Sequence, residues 1–179
     1  QTHDRLAGAE VANYLESLGH RQIGLITGPK RYRSAIERGE GFIDGLRRRG
    51  ITLPPECIYE GGYTFESGVA GAEALLKRQP RPSAIFACND EMAAGVYKAA
   101  LRMGLSIPGD LSVVGYDDSP LAAQLWPALT TIRLPVRDVG RQAAQLLLAE
   151  PRGAQNPAAA PAISVTPHLV VRDSGQPPA

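Results

Sequence analysis

Residues 83–118 read SAIFACNDEMAAGVYKAALRMGLSIPGDLSVVGYDD, and this stretch decides the fold. Residues 83–87 form a short apolar run of strand length. Residues 91–103 then read as a helix, with Asp90 as its cap and Gly104 as its stop, and residues 111–115 read as a second strand. Two strands joined by a helix of this length lie parallel, because a parallel pair needs a long connection and that connection crosses over right-handed.

The same unit recurs upstream. Val11, Ala12, Tyr14, Leu15 and Leu18 fall at helical spacing within residues 6–18, and Gly19 closes that helix. Residues 22–27 read as a buried strand broken by Gly28 and Pro29. Ser34 with Glu37 three residues on reads as a capping box, opening a helix that runs to residue 49. A strand over 57–60 and a helix over 66–78 complete the series. Helices between successive strands predict a doubly wound parallel α/β sheet with helices on both faces. Downstream the rhythm changes. Residues 116–128 read as a loop, 129–132 as a strand, and 136–149 as a helix that starts a new unit. Residues 151–161 are rich in Pro and Ala and read as a loop, 162–165 and 168–171 as closing strands, and 176–179 as a frayed end. Residues 1–133, closed by 166–173, are therefore expected to form one complete lobe. Residues 134–165 would be returning pieces of a second lobe, and 174–179 a tail.

Composition narrows the function classes. Apolar residues make up 44% and charged residues 21% of the 179, which suits a chain with a folded core. A formal net charge of +1 gives no field to draw this segment onto phosphate backbones or anionic lipid. No apolar run reaches the roughly 18 residues of a membrane span. Cys57 and Cys88 fall in or beside strands and read as reduced thiols that behave as small hydrophobes, not as a bridge. The chain opens at Gln1 directly into a helical pattern, so its start is expected to be a boundary within a larger protein.

In a doubly wound sheet, ligands bind beyond the carboxyl ends of the strands. Here those ends carry Lys30, Arg31, Arg33, Ser34 and Arg38 after the first strand, then Tyr63, then Asn89 and Asp90, then Asp117 and Asp118. Asp117 can accept hydroxyl hydrogen bonds, Asn89 can donate and accept, Arg38 offers a fork of donors, and Tyr63 a flat face. Each has a plainer reading. Asp117 and Asp118 can serve the turn before Ser119 and Pro120, Arg38 a surface ion pair, Tyr63 a rim contact, and the basic loop a solvated run. Asp90 reads as the cap and Asn89 as the better ligand candidate. Gly39 and Gly41 fall inside a helix and are not a dinucleotide fingerprint. His3, His20 and His168 lie away from these strand ends, no metal-ligand spacing occurs, and Cys88 reads as core and not as a nucleophile. No enzyme, metal or cofactor chemistry is expected.

The segments YLESLGHRQIGLITGP, SAIERGEGFIDGLRRRGI, residues 83–118 as quoted, and PALTTIRLPVRDVGRQAAQLLL closely resemble the effector-binding domain of LacI/GalR transcriptional repressors, a periplasmic-binding-protein-like lobe. The resemblance implies a cytoplasmic, dimeric repressor that meets operator DNA through a headpiece absent from these residues. Its effector would be a sugar, sugar acid or sugar phosphate. It implies effector contacts at Arg38, Ser34, Tyr63, Asn89 and Asp117, and a dimer interface at Ala94, Leu121, Leu125 and Trp126. The chain departs from the sugar-responsive pattern at Leu134, where several members carry glutamine. The alternative on the same scaffold is a periplasmic sugar-binding protein of a transport system; "VVGYDD" followed by "PALTTI" is closer to the repressors.

Overall fold

The computed structural model describes residues 3–135, 140, 141, 144, 145 and 166–179. Its elements follow the expected alternation. They are α1 (Asp4–Ser17), β1 (Ile23–Thr27), α2 (Arg33–Arg47), β2 (Ile58–Glu60), α3 (Phe65–Leu76), β3 (Ala84–Ala87), α4 (Asp90–Arg102), β4 (Ser112–Asp117), α5 (Pro120–Gln124), β5 (Thr130–Arg133) and β6 (His168–Val170). Most of the expected helix over 136–149, the loop over 151–161 and the strand over 162–165 lie outside the described residues.

The strands form one sheet in the order β2-β1-β3-β4-β5-β6. The first five run parallel, and β6 closes the edge antiparallel to β5, with Arg133 opposite His168. In β3 every residue is buried, and in β4 every residue but the last. Alternate side chains of a strand face opposite ways, so both faces of the sheet are covered. α1 packs on α2 and α3 on α4. The core runs through the sheet, with the Phe42 ring of α2 against Phe86 of β3 at 4.9 Å between centroids.

Three local expectations are corrected. The second helix opens at Arg33 with Tyr32 as its N-cap and no side-chain cap, and Glu37 pairs with Arg33 at 2.6 Å where a capping box with Ser34 was expected. Residues 116–128 are not wholly a loop. β4 continues to Asp117, and Pro120, which suits the first turn of a helix, starts α5. The carboxyl end is not frayed at Gln176. Its N–H donates to Ser112 Oγ at 3.0 Å, and its carbonyl meets the buried His20 ring at 2.9 Å. Ser174 beside it is fully buried and donates to the Val113 carbonyl at 2.6 Å. Burial lowers the His20 pKa, partly offset by the Gln176 carbonyl, so neutral imidazole joins this tail to the sheet.

Candidate functional site

The parallel strands place Gly28, Cys88, Asn89 and Asp117 along one edge, and the turn after β2 brings Tyr63 over them. α2 then carries Arg38 inward across the same edge. Its side chain is only 11% exposed, so the surface ion pair that its spacing first suggested is replaced by a buried one. Nε donates to Asp4 Oδ1 at 2.7 Å, and Nη1 donates to the Cys88 carbonyl at 2.9 Å. The guanidinium lies 3.6 Å from the centroid of the Tyr116 ring, and the Tyr116 hydroxyl donates to the same Asp4 oxygen at 2.8 Å. Asp4 thus belongs to the candidate site by its contacts, and sequence reasoning missed it. The available signal was an acid in the first turn of α1 just ahead of an otherwise apolar face.

Asp117 stands 3.6 Å from Arg38 Nη1 and keeps 43% of its side chain exposed. Loss of hydration at the crowded strand ends pushes its pKa up to about 6, with Asp90 and Asp4 adding to the rise and Arg38 opposing it. Its φ of 113° is one that a residue with a side chain rarely adopts, and Asp118 beside it has φ 52°. The two carboxylates part company there. Asp118, only 7% exposed, binds Arg133 and Arg172, while Asp117 turns to Arg38. Turn duty therefore belongs to Asp118 and leaves Asp117 an open acceptor.

The cap expected at Asp90 is supplied by Asn89. Asn89 is the N-cap of α4, accepting from Met92 N at 2.9 Å, and its Nδ2 donates to the Tyr63 carbonyl at 3.1 Å. One amide hydrogen remains for a ligand. Asp90 instead accepts from Ser119 N at 2.7 Å and Thr131 Oγ1 at 2.6 Å. Burial raises its pKa, and these two hydrogen bonds oppose the rise.

Tyr63 adopts φ 64° and lies against Gly28, where a Cβ would stand 2.0 Å from the ring. Only glycine leaves room for the aromatic face there. The Tyr63 hydroxyl is buried with no partner in hydrogen-bond geometry among the described residues. Burial pushes its pKa up, opposed by Arg38 and by the Ser34 hydroxyl. Ser34 thus belongs to the same neighbourhood and also lines a cavity of about 550 Å³ with His3, Asp4 and Arg33. Cys88 is fully buried in the core, and burial pushes its thiol up to about 12.

The remaining cations are not gathered around Arg38. Lys30 pairs with Glu60 at 3.6 Å, Arg33 with Glu37, and Arg31 lies over the Tyr32 ring. Leu134 packs against the core. Among the described residues no group of three His, Cys, Asp or Glu side chains could hold a metal ion, and no helix is long and apolar enough to cross a membrane.

A second cavity of about 440 Å³ joins the strand-end residues Asn89 and Asp117 to Ala94, Leu121 and Leu125. Trp126 is 93% exposed and lines a neighbouring groove with Tyr97, Leu101 and Ile107. The four residues expected at a dimer contact therefore lie on two adjoining hollows, and three of them reach the site.

Comparison with known proteins places this geometry in company. Residues 12–175 match the model of the periplasmic binding protein-like domain. The ribose operon repressor of Haemophilus influenzae is 42% identical over 143 residues, covering 80% of this chain and 43% of that protein. The HTH-type transcriptional regulator MalR of Streptomyces coelicolor is 42% identical over 175 residues, covering 96% of this chain and 50% of that protein. The solved complex of the transcriptional regulator CelR with cellobiose superposes with a TM-score of 0.87 at 32% identity, covering 97% of this chain and 52% of that one. The chain spans about half the length of the curated relatives it matches.

Proposed function

Since the chain belongs to the periplasmic binding protein-like domain family, as found in LacI-type regulators, we propose that it is the ligand-sensing domain of a cytoplasmic transcriptional repressor. It binds a small polyhydroxylated metabolite at Asp117, Arg38, Asn89, Tyr63 and Ser34. Operator DNA is met by a reader outside these residues, in keeping with the HTH-type names of relatives about twice as long. The similar proteins above are regulators of transcription, which favours this reading over a transport protein or an enzyme. Residues 1–133, closed by 166–173, act as one lobe of the sensor.

The observation that carries the proposal is Asp117. It is a half-exposed carboxylate without a hydrogen bond among the described residues, held beside an arginine whose Nη2 is also unbonded there. A vicinal pair of sugar hydroxyls satisfies both, one donating to Asp117 and one accepting from Arg38. The charge balance around Arg38 favours an uncharged effector. Arg38 already faces two carboxylates, and Lys30 and Arg33 have acidic partners. A neutral sugar suits this balance better than a sugar acid, and a sugar phosphate suits it least.

The test is a calorimetric titration with D-ribose, cellobiose, a hexuronic acid, a hexose phosphate and a purine nucleoside. A neutral sugar is expected to bind, and Asp117→Ala to weaken it about ten- to a hundredfold. Binding needs the ionised carboxylate as acceptor. Affinity should therefore fall as the pH drops through about 6, where Asp117 gains its proton. Equal affinity in Asp117→Ala, or a purine as the sole ligand, would remove the proposal.

Such regulators work as dimers, and the face carrying Ala94, Leu121, Leu125 and Trp126 is the proposed contact between copies. A tryptophan 93% exposed beside Leu101 at 79% is costly to leave in water. Trp126→Glu is expected to weaken self-association by roughly thirtyfold or more, as loss of a central aromatic anchor does. Sedimentation velocity over a range of concentrations reads this directly, and an unchanged profile would exclude Trp126 from the contact.

A further inference from the structure

We propose that Asp118 is a positioning residue, whose carboxylate clasps the two crossings of the chain, at Arg133 and Arg172, to the turn that presents Asp117. This builds on the reading of Asp117 as a ligand contact.

The chain leaves the sheet at Arg133, the last residue of β5, and returns through His168 of β6, directly opposite it. One carboxylate oxygen of Asp118 accepts from Arg133 Nε, and the other accepts from Arg172 Nη2 at 2.5 Å. Arg172 is itself fixed, its Nη1 donating to the Leu129 carbonyl at 2.7 Å and its N–H to Thr130 Oγ1 at 2.9 Å. The Asp118 N–H reaches Thr131 Oγ1 at 3.4 Å, and that hydroxyl donates to Asp90. Asp118 thus touches the outgoing strand and the returning segment, and reaches the base of α4 through Thr131.

Its charge is secure. Burial works to raise its pKa, but Arg172 and Arg133 outweigh this and hold it below the ordinary carboxylate range. Charge-assisted bonds to two guanidinium groups, with the side chain 7% exposed, make this more than a screened surface pair.

The adjoining backbone supplies the link to the site. Positive φ at two successive aspartates persists only where the surroundings over-determine it. The Asp118 clasp is the constraint on one side, and the pairing of Asp117 with Arg133 in the β4–β5 register is the other. Releasing the clasp lets Asp117 relax away from Arg38, Asp90 and Asp4, the charged groups that now face it. Conversely, a ligand that pulls on Asp117 pulls on both crossings together.

Carboxyl-labelled aspartate in the 179-residue chain, followed by NMR against pH, tests this. The Asp117 signal is the one lost in Asp117→Asn. Arg172→Gln and Arg133→Gln each remove a positive charge, which by electrostatics alone raises the Asp117 midpoint or leaves it unmoved. Release of Asp117 into water does the opposite and lowers it by about one to two pH units, toward an ordinary carboxylate. Arg172→Lys, which keeps the charge and can still reach one oxygen, is expected to bring the midpoint part of the way back toward that of the parent. Hydrogen exchange should quicken about tenfold over both 130–134 and 167–173 in Arg172→Gln. Arg133→Gln changes a half-exposed side chain and serves if the other variant folds poorly. A midpoint that rises or stays in both variants overturns the proposal. A midpoint that falls while Asp117→Ala leaves every sugar titration unchanged supports the clasp and removes the ligand role of Asp117.

Discussion

Replacing Asp4 by alanine is expected to destabilise the chain by about 3–5 kcal/mol, as happens when one partner of a buried ion pair is removed. At this chain length that lowers the melting temperature by roughly 6–20 °C. The Asp4 carboxylate is 2% exposed and takes hydrogen bonds from Arg38 Nε and the Tyr116 hydroxyl. Alanine leaves a buried guanidinium with the Cys88 carbonyl, the Tyr116 ring face and a half-exposed Asp117 at 3.6 Å in place of its closest carboxylate, and it orphans a buried phenol. Removing both charges behaves differently. Asp4→Leu combined with Arg38→Met takes away the uncompensated ion, so the double variant should be more stable than Asp4→Ala alone. Thermal and urea unfolding of the three variants measures this. An Asp4→Ala change within about 1 kcal/mol of the parent would show the pair to be no more than a surface contact.

Much of this arrangement was legible from the sequence, and the exceptions have physical causes. Apolar runs of four to six residues between Gly- and Pro-marked breaks located every parallel strand to within one or two residues, because interior strands of a covered sheet are apolar throughout. The strand ends then gave Arg38, Asn89, Tyr63 and Asp117 as neighbours, since parallel strands bring their carboxyl ends to one edge. Asp4 was hidden because its partner lies 34 residues away, and no local pattern announces a contact made between two helices. The cap was assigned to Asp90 and not to Asn89 because both are good caps and adjacent. The choice was made by Ser119 and Thr131, which reach Asp90 from another part of the chain. The partners of the basic loop were not legible, because a run of cations says nothing of the acids opposite it, here Glu37 and Glu60.

Gly41→Val is expected to cost well over the roughly 1–3 kcal/mol of ordinary overpacking, and to reach the site through α1. A Cβ at Gly41 would stand 2.1 Å from the Arg5 carbonyl oxygen, and one at Gly8 would stand 2.3 Å from the Arg38 carbonyl oxygen. The two helices therefore touch backbone to backbone, and the obstructing atoms belong to peptide groups that cannot rotate aside. That approach is also what sets Asp4 within 2.7 Å of Arg38. Pushing α1 outward by the ångström or so that valine demands breaks this pair, so the packing penalty and the ion-pair penalty arrive together. Gly39, two residues earlier on α2, supplies the control. Its Cβ would meet only Thr27 Cγ2 at 3.4 Å, an ordinary contact. Gly39→Ala should then be neutral or stabilising by up to about 1 kcal/mol through helix propensity. The glycines of this helix thus divide by the distance to the facing backbone, and unfolding curves of the two variants should diverge in sign. Equal, small effects would mean that α1 can shift freely against α2, and that Asp4 follows Arg38 without help from the glycines.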